Sequence, residues 1–536
     1  MKSNTEEFDY IVVGAGSAGC VVAGRLGETG KHKTLLLEAG GKDTYPWIHI
    51  PMGYAKLYAN PAVNWCYLSE PEPELNGRRL FQPRGKVLGG TGSINGMIYM
   101  RGQREDFDGW RQLGCTGWGY WDVLPYFKKS EHQQRGANEY HATDGPLWVS
   151  DLPSKHELAD AFISAGEELG SPPNKDFNGE TQEGAGYVQV TTRNGRRWST
   201  AAAYLKLPNV RDSVKIVTGA LAKRLLVEGG RAVGVECAVG GQTYTTRARG
   251  EVILCGGAFN SPQLLQLSGI GPADLLKKMS VPVVRDLQGV GENLQDHCGI
   301  GLEYRCPKPV TVNDIANNFW IRMAVMTRYL LFRSGPMASN GNFANVFVRA
   351  DGTKDRPDLM VTLLGWCTAE DLTPRPFSGY TILAEHIRPD SRGWVRLAKP
   401  EFTEPPAIQF NFFASDYDRR TLVDGVKLIR KMARTSSLTP YVAEEINPGP
   451  ECNSDNDFVE HCRKSALSLL HAAGTCRMGV RADAVVDPQL RIHGLDRLRV
   501  IDASVMPTIV SGNTNAATIM IAEKGADFLL TDARAH

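Results

Sequence analysis

Three glycines at fixed spacing, Gly14, Gly16 and Gly19, followed 19 positions later by Glu38, are the residues of this chain whose chemistry is most legible. Tyr10 to Val13 before them are apolar and largely β-branched, which reads as a buried strand. Gly14 permits a tight turn, Gly16 lets a pyrophosphate reach the backbone, and Gly19 lets the next helix pack close to the sheet. Ser17 and Ala18 fall at the start of that helix, where free N–H groups and the helix dipole attract a diphosphate. Lys33 to Leu37 form a second strand that delivers Glu38 and Ala39. A carboxylate there accepts hydrogen bonds from a ribose diol and repels a 2′-phosphate. The expected ligand is an adenine dinucleotide, FAD or NAD rather than NADP. A plain βαβ unit is the bland alternative, but strand, glycines, helix, second strand and acid all occur in order.

Three further stretches carry reactive or phosphate-seeking groups. Arg84 to Gly96 holds Gly89, Gly90, Thr91, Ser93 and Asn95, and reads as a glycine-rich loop running into a helix. His471 opens a glycine-containing loop after the apolar run 466–470. Its near-neutral pKa and two ring nitrogens suit a general base, and equally suit a hydrogen-bonded core histidine. Asn513 lies in a turn-like stretch ending at Asn515. Its amide suits an oxyanion donor, and its residue type also suits a simple turn.

The elements that must position these groups follow from pattern. Residues 45–81 carry prolines at 46, 51, 61, 71 and 73 and read as an extended wrap rather than regular structure. Residues 105–131 look helical and aromatic, and 156–170 read as an amphipathic helix. Ser199 or Thr200 caps another helix. The runs 214–217, 222–227, 232–238 and 243–248 alternate like a small antiparallel meander. Residues 251–257 read as a second buried strand, leading into a helix that starts at the polar cap Asn260. From about 300 to 465 strand-like runs at 359–364, 380–387 and 394–397, then a helix at 423–433, suggest a second domain with an antiparallel sheet. A strand at 498–501, then Asp502 and Ala503, then a helix at 515–530 return to the nucleotide-domain style.

Composition bounds the rest. The 536 residues suffice for two domains, and 42% hydrophobic with 22% charged residues is ordinary for a soluble enzyme. A net charge of +1 gives no footprint for nucleic acid. The 11 cysteines show no CxxC pair and read as reduced thiols of a cytoplasmic protein, with peripheral membrane association left open. No histidine spacing suggests a metal. The polar stretch 1–9 is not a secretory signal. Residues 318–332 come nearest to a membrane segment, but Arg322 and Arg328 interrupt them, and a half-buried helix is expected.

With these stretches in view, the chain resembles the glucose-methanol-choline oxidoreductases along essentially its whole length. The resemblance lies in Gly14 to Glu38, Gly85 to Asn95, Gly257 to Gly271, Gly289 to His297, His471 to Gly479 and Asp502 to Asn515. It is nearest to the choline-dehydrogenase-like bacterial branch, which includes sorbose dehydrogenases and alcohol oxidases. It implies a Rossmann-type α/β FAD domain from segments 6–155, 195–300 and 465–532, and an α+β substrate domain with a large antiparallel sheet from 156–194 and 301–464. It implies oxidation of a small alcohol, with His471 as base, Asn513 as oxygen anchor and the flavin taking the hydride. O2 or a quinone- or dye-type acceptor would reoxidise the flavin.

Residue by residue, the resemblance sets Gly89, Gly90, Thr91, Ser93, Asn95 and Gly96, with Arg84, along the flavin or its diphosphate. It brings Ala222 to the adenine, Asp502 and Ala503 to the ribityl-diphosphate region, and Asn515 to the cofactor or to a helix cap. It lines the substrate pocket with Leu469, Leu470 and Thr362, each of which simple packing would also explain. Ile94 stands where some relatives attach FAD through a histidine, so dissociable FAD is expected. Ala472 replaces a proline of the choline-type branch, and Thr362 falls near a histidine of choline-active relatives, which weakens the case for choline. A redox-silent lyase or a light-driven enzyme on the same fold, a NAD-dependent dehydrogenase and a non-catalytic flavin carrier are the competing readings.

Overall fold

The computed structural model of the chain describes residues 6–369, 371 and 373–535. Of the polar N-terminal stretch, residues 1–5 lie outside the described part. One seven-stranded sheet carries the nucleotide fingerprint. Its strands are β1 (Glu7–Val13), β2 (Thr34–Glu38), β3 (Val214–Thr218), β4 (Ala220–Glu228), β5 (Arg231–Val239), β6 (Gln242–Leu254) and the short Leu498–Val500. In the parallel order β3-β2-β1-β6 the inner strands β2 and β1, the latter from Tyr10 on, are buried on both faces, which is why their apolar runs are continuous rather than alternating.

Two expectations about this sheet are corrected. The run at 214–217 is not part of the meander, because β3 pairs in parallel with β2, and only β4, β5 and β6 form the antiparallel part. The two expected strands at 243–248 and 251–257 are one 13-residue strand. The first half of β6 pairs with β5 and its second half with β1. Gly250 permits this, since a Cβ there would stand 2.6 Å from the Asp9 carbonyl, beside the register shift in β1.

Helix α1 (Ser17–Glu28) follows β1, and α2 (Gly257–Leu267) follows β6. Helix α2 starts three residues before the expected cap. Asn260 lies inside it, and the Gly257 N–H donates instead to the Asp502 carboxylate at 2.8 Å. The cap comes from a residue 245 positions away, which no local pattern encodes. The loop at 85–96 does not run into an α-helix either. It closes in one 3₁₀ turn, Gly90–Ser93, as expected of a glycine-rich segment with little helix propensity. Ser199 caps the 200–204 helix by accepting from the Ala202 N–H.

A second seven-stranded sheet is antiparallel in its main run. It contains Gly184–Tyr187, β7 (Cys298–Arg305), β8 (Asn342–Val348), β9 (Leu359–Leu364), β10 (Gly379–His386), Glu444–Asn447 and β11 (Leu467–Ser468). The expected strand at 394–397 lies apart from it, in a three-stranded sheet. Helix α3 (Phe319–Phe332) is a further correction, being largely exposed rather than half-buried. Trp320 is 78% and Phe332 71% exposed, and Tyr329 alone is buried. Its apolar residues run round the cylinder, while one side rests on Met337, Ala338 and Trp47. Helix α4 (Asp416–Ala433) covers one face of the second sheet, where Gly425 allows contact with Ala384 and Leu359. Helix α5 (Asn515–Ala535) closes the chain against α1.

Candidate active site

Three segments converge at the start of α1. Gly16 precedes the helix without a side-chain cap, so the first N–H groups stay available to an anion. A Cβ on Gly90 would sit 2.6 Å from Gly16 Cα, and one on Gly92 would sit 2.9 Å from Ser17 Oγ. Ser17 Oγ donates to Asn515 Oδ1 at 2.6 Å, which ties the α5 start to the same place. At the tip of β2 the buried Glu38 accepts from the Ala15 N–H at 2.9 Å and the Gly40 N–H at 2.8 Å. Desolvation pushes its carboxyl up to about 7. Gly219 N–H donates to Gly40 O at 2.8 Å, so the strand bearing Ala222 starts beside Glu38. This backbone cradle and its neighbouring carboxylate fit the diphosphate and ribose of FAD.

Other residues expected at the cofactor also bond within the protein. Ser93 Oγ donates to Leu88 O at 2.6 Å, and Thr91 Oγ1 accepts from the Gly85 N–H. Asn95 Oδ1 accepts from Arg197 Nη1 at 2.8 Å, and Gly96 O accepts from Asn340. Both Asp502 oxygens are taken by Ser261, Gly257 N–H and Ser504 N–H. Asp502 thus holds the α2 start in place, and the adjoining Ala503 is buried.

The second convergence brings His471 and Asn513 together from 42 positions apart. Asn513 Nδ2 lies 2.9 Å from His471 Nε2 and donates to it. His471 Nδ1 lies 3.0 Å from His297 Nδ1. With Nε2 as acceptor, the His471 proton sits on Nδ1 and points to His297. The backbone supports this pose. Leu470 adopts a left-handed φ of 68°, rare for a branched side chain, directly before His471. The Leu470 carbonyl accepts from Arg84 Nη1 at 2.7 Å, and the His471 N–H donates to Asp296 Oδ1 at 2.7 Å.

Electrostatics keep the imidazole neutral. Burial, then the Arg84 guanidinium, lower His471 to about 3. Burial also holds His297 well below its ordinary value, with His471 and His386 adding to the effect. Asp296 is raised to about 6 by burial, against the pull of Arg84. Arg84 Nη2 and Asn513 Oδ1 are buried without a hydrogen-bond partner in the protein, as expected where a polar ligand group belongs.

Leu469 and Leu470 are half-buried beside His471, and Thr362 is buried on β9, where its hydroxyl donates to Glu385 Oε1 at 2.6 Å. Sequence reasoning gave no role to His297, Asp296 or Glu385. The first two stand in the 289–297 motif, where their position was a usable signal. Glu385 has none, because one acid in an apolar strand reads like a surface position. Among the described residues no group of three or more His, Cys, Asp or Glu side chains could hold a metal ion, and no helix is long and apolar enough to cross a membrane.

A glycine-lined helix start with a buried carboxylate at the adjoining strand tip, together with a paired histidine and asparagine, is the arrangement expected of a flavoprotein oxidoreductase. Models of the GMC oxidoreductase family match residues 8–299 and 389–522, and the chain belongs to that family. It is an FAD-dependent oxidoreductase acting on CH–OH donors. It is 43% identical over 527 residues to an oxygen-dependent choline dehydrogenase of Rhizobium etli, covering 98% of this chain and 96% of that one. It is 41% identical over 538 residues to the mitochondrial choline dehydrogenase of Homo sapiens, covering 98% and 90%. Among solved structures it is similar to pyridoxine 4-oxidase from Mesorbium loti, with a TM-score of 0.89 and 32% identity over 98% of this chain and 99% of that one. It is also similar to Aspergillus oryzae formate oxidase, with a TM-score of 0.93 and 27% identity over 99% of each chain.

Proposed function

We propose that the protein oxidises a small, primary alcohol to the aldehyde, with His471 as general base and Asn513 as oxygen anchor. The observation that carries this reading is the 2.9 Å contact between His471 Nε2 and Asn513 Nδ2, backed by His297 at 3.0 Å. FAD, when bound, supplies the acceptor for the hydride leaving the carbinol carbon. The alcohol oxygen displaces the direct Asn513–His471 contact and is then held by the Asn513 N–H. His471 receives the hydroxyl proton at Nε2, which is unprotonated because Nδ1 carries the ring proton, and the alcohol O–H takes the place of the Asn513 N–H on that nitrogen. Developing negative charge on oxygen is met by the Asn513 amide in a site shielded from water. The relatives named for choline and pyridoxine act on alcohols of this size class.

In this reading Gly14, Gly16, Ser17, Ala18, Gly19, Glu38, Ala39, Arg84, Gly89, Gly90, Thr91, Ser93, Asn95, Gly96, Ala222, Asp502, Ala503, Asn513 and Asn515 hold the cofactor, within the domain division given by the segments above. Leu469, Leu470 and Thr362 line the pocket. FAD binds without a covalent link, since Ile94 offers no nucleophile and is buried with Ile48, Leu57, Val63 and Val87. The acceptor is O2 or a quinone- or dye-type compound.

An anaerobic screen of alcohols for bleaching of the yellow protein, repeated in air, tests the reading. His471→Ala is expected to keep its colour and slow bleaching by about 10²–10⁴-fold. Bleaching at the wild-type rate in that variant removes the base assignment. Failure of every alcohol to bleach the wild type favours a redox-silent lyase.

A further inference from the structure

The second sheet contains a buried carboxylate, Glu385, that the protein leaves without a counter-charge. Ten carboxyl side chains are buried among the described residues. Nine have at least two hydrogen-bonding or ionic partners. Glu131 has Arg101 and His141, Glu523 has Arg25 and Tyr204, and Asp502 has Ser261 and two backbone amides. Glu385, 5% exposed, has only the Thr362 hydroxyl. Burying an ionised carboxylate without a partner is costly, so such a group either holds a proton or is completed by a cationic ligand.

The sheet register shows which way Glu385 points. It stands opposite Gly299 on β7, and Gly299 stands opposite Leu467 on β11. Directly opposed residues share a face. The vacant side of Gly299 faces Leu469 Cδ2 at 3.0 Å and Leu383 Cδ1 at 3.3 Å, so Glu385 shares the face of Leu469, two residues before His471. The opposite face is the one packed on α4. Two strand spacings, roughly 10 Å, separate Glu385 from Leu467. Glu385 also faces Met360 across the ladder. Met360 packs in a cluster with Met100, and Met100 closes on Gly512, next to Asn513.

A second group supports the same conclusion. Asn345, fully buried and opposite Thr362, has an Oδ1 with no donor, while its Nδ2 contacts Met360 sulfur at 3.2 Å. Thus two acceptor oxygens without a full set of donors lie on the sheet face that Glu385 shares with Leu469. Burial raises the Glu385 carboxyl to about 8 when nothing neutralises it.

We infer that Glu385 anchors a positively charged group of the substrate, so that the pocket takes alcohols bearing a nitrogen cation, ammonium or pyridinium. The inference rests on the alcohol-oxidation reading above. Glu385 is a specificity residue set away from the reacting carbon, with Thr362 holding one carboxylate oxygen and leaving the other for the cation.

The test uses the holoenzyme and alcohols matched in shape but not in charge. One pair is choline and 3,3-dimethylbutan-1-ol; the other is 1-methyl-3-(hydroxymethyl)pyridinium and 3-methylbenzyl alcohol. At least one charged member is expected to bleach the flavin with kcat/KM tenfold or more above its neutral twin. Glu385→Gln should bring that ratio close to one, with the loss falling on KM. Equal rates for both twins in the wild type, or a ratio that survives in Glu385→Gln, overturns the inference. If no member of either pair bleaches the flavin, calorimetric titration with tetramethylammonium and N-methylpyridinium decides independently of turnover. Saturable binding of either ion, weakened tenfold in a Glu385→Gln protein that still binds FAD, supports the inference even then. Absent or unaltered binding overturns it.

Discussion

His471 and His297 face each other through their Nδ1 atoms at 3.0 Å, with ring planes 77° apart. Only one of the two nitrogens can carry a proton in that contact. The Asn513 N–H at Nε2 assigns it to His471, which leaves His297 as acceptor. The arrangement presents an unprotonated Nε2 to the pocket and fixes the plane of the ring. The orienting group is thus a second imidazole, in addition to the Asp296 carboxylate that grips the backbone of the same residue.

His297→Ala should therefore impair the base without emptying the pocket. The expected result is a kcat lower by about 10²-fold, from a misplaced ring, with KM changed far less. Rapid-mixing flavin reduction at several alcohol concentrations separates the two. A drop confined to KM would show that His297 acts on binding instead.

Gly90→Ala should weaken cofactor retention. The new methyl would meet Gly16 Cα at 2.6 Å, at a left-handed φ of 52°. Neither backbone can yield without opening the cradle, so the protein is expected to elute largely colourless after desalting. Visible absorbance per mole of protein measures it.

Glu38→Gln tests the tip of β2. The carboxylate accepts from two backbone N–H groups, and an amide can accept from only one while its NH2 opposes the other. Leaving a buried donor unpaired costs about 1–3 kcal/mol, so FAD affinity is expected to fall by roughly ten- to a hundredfold. Fluorescence titration of the apoprotein with FAD reads the change.

Ile94 predicts dissociable flavin. Acid precipitation is expected to leave all the yellow colour in the supernatant. Colour that stays with the pellet would require a covalent link through another residue.

Burial of Glu385 also predicts a pH dependence of stability. Its carboxyl lies at about 8 in the folded chain against an ordinary 4.5, so the folded state binds the proton more tightly. The associated stability is complete below 4.5 and declines as pH rises toward 8, by up to about 1.4 kcal/mol per pH unit. His471, lowered to about 3 from 6.5, runs the other way, favouring the folded state as pH rises toward 6.5 and adding nothing above it. Comparing Glu385→Gln with the wild-type apoprotein isolates the first effect. The advantage of the wild type should shrink steadily from mildly acidic to mildly alkaline buffer. A constant difference in melting temperature would rule it out.

Local order along the chain was enough to announce the nucleotide half. Gly14, Gly16, Gly19 and Glu38 are close in sequence, and each residue type answers a constraint set by its neighbours, namely a turn, a close approach or a strand end. The same held for the strands at 359–364 and 380–387, whose apolar content reflects burial wherever they pair. His471 and Asn513 stood out as polar residues in glycine-rich surroundings, but a core histidine and a turn asparagine looked alike at that level. What makes a pair of them is distance, and distance across 42 residues is decided by packing. The same reason hid the 245-residue reach of Asp502 to the α2 start, the placement of β3 beside β2, and the exposure of α3. It also hid Glu385, because whether a strand acid faces water, a cation or an empty pocket depends on which strands lie beside it, and on a glycine across the ladder leaving the space.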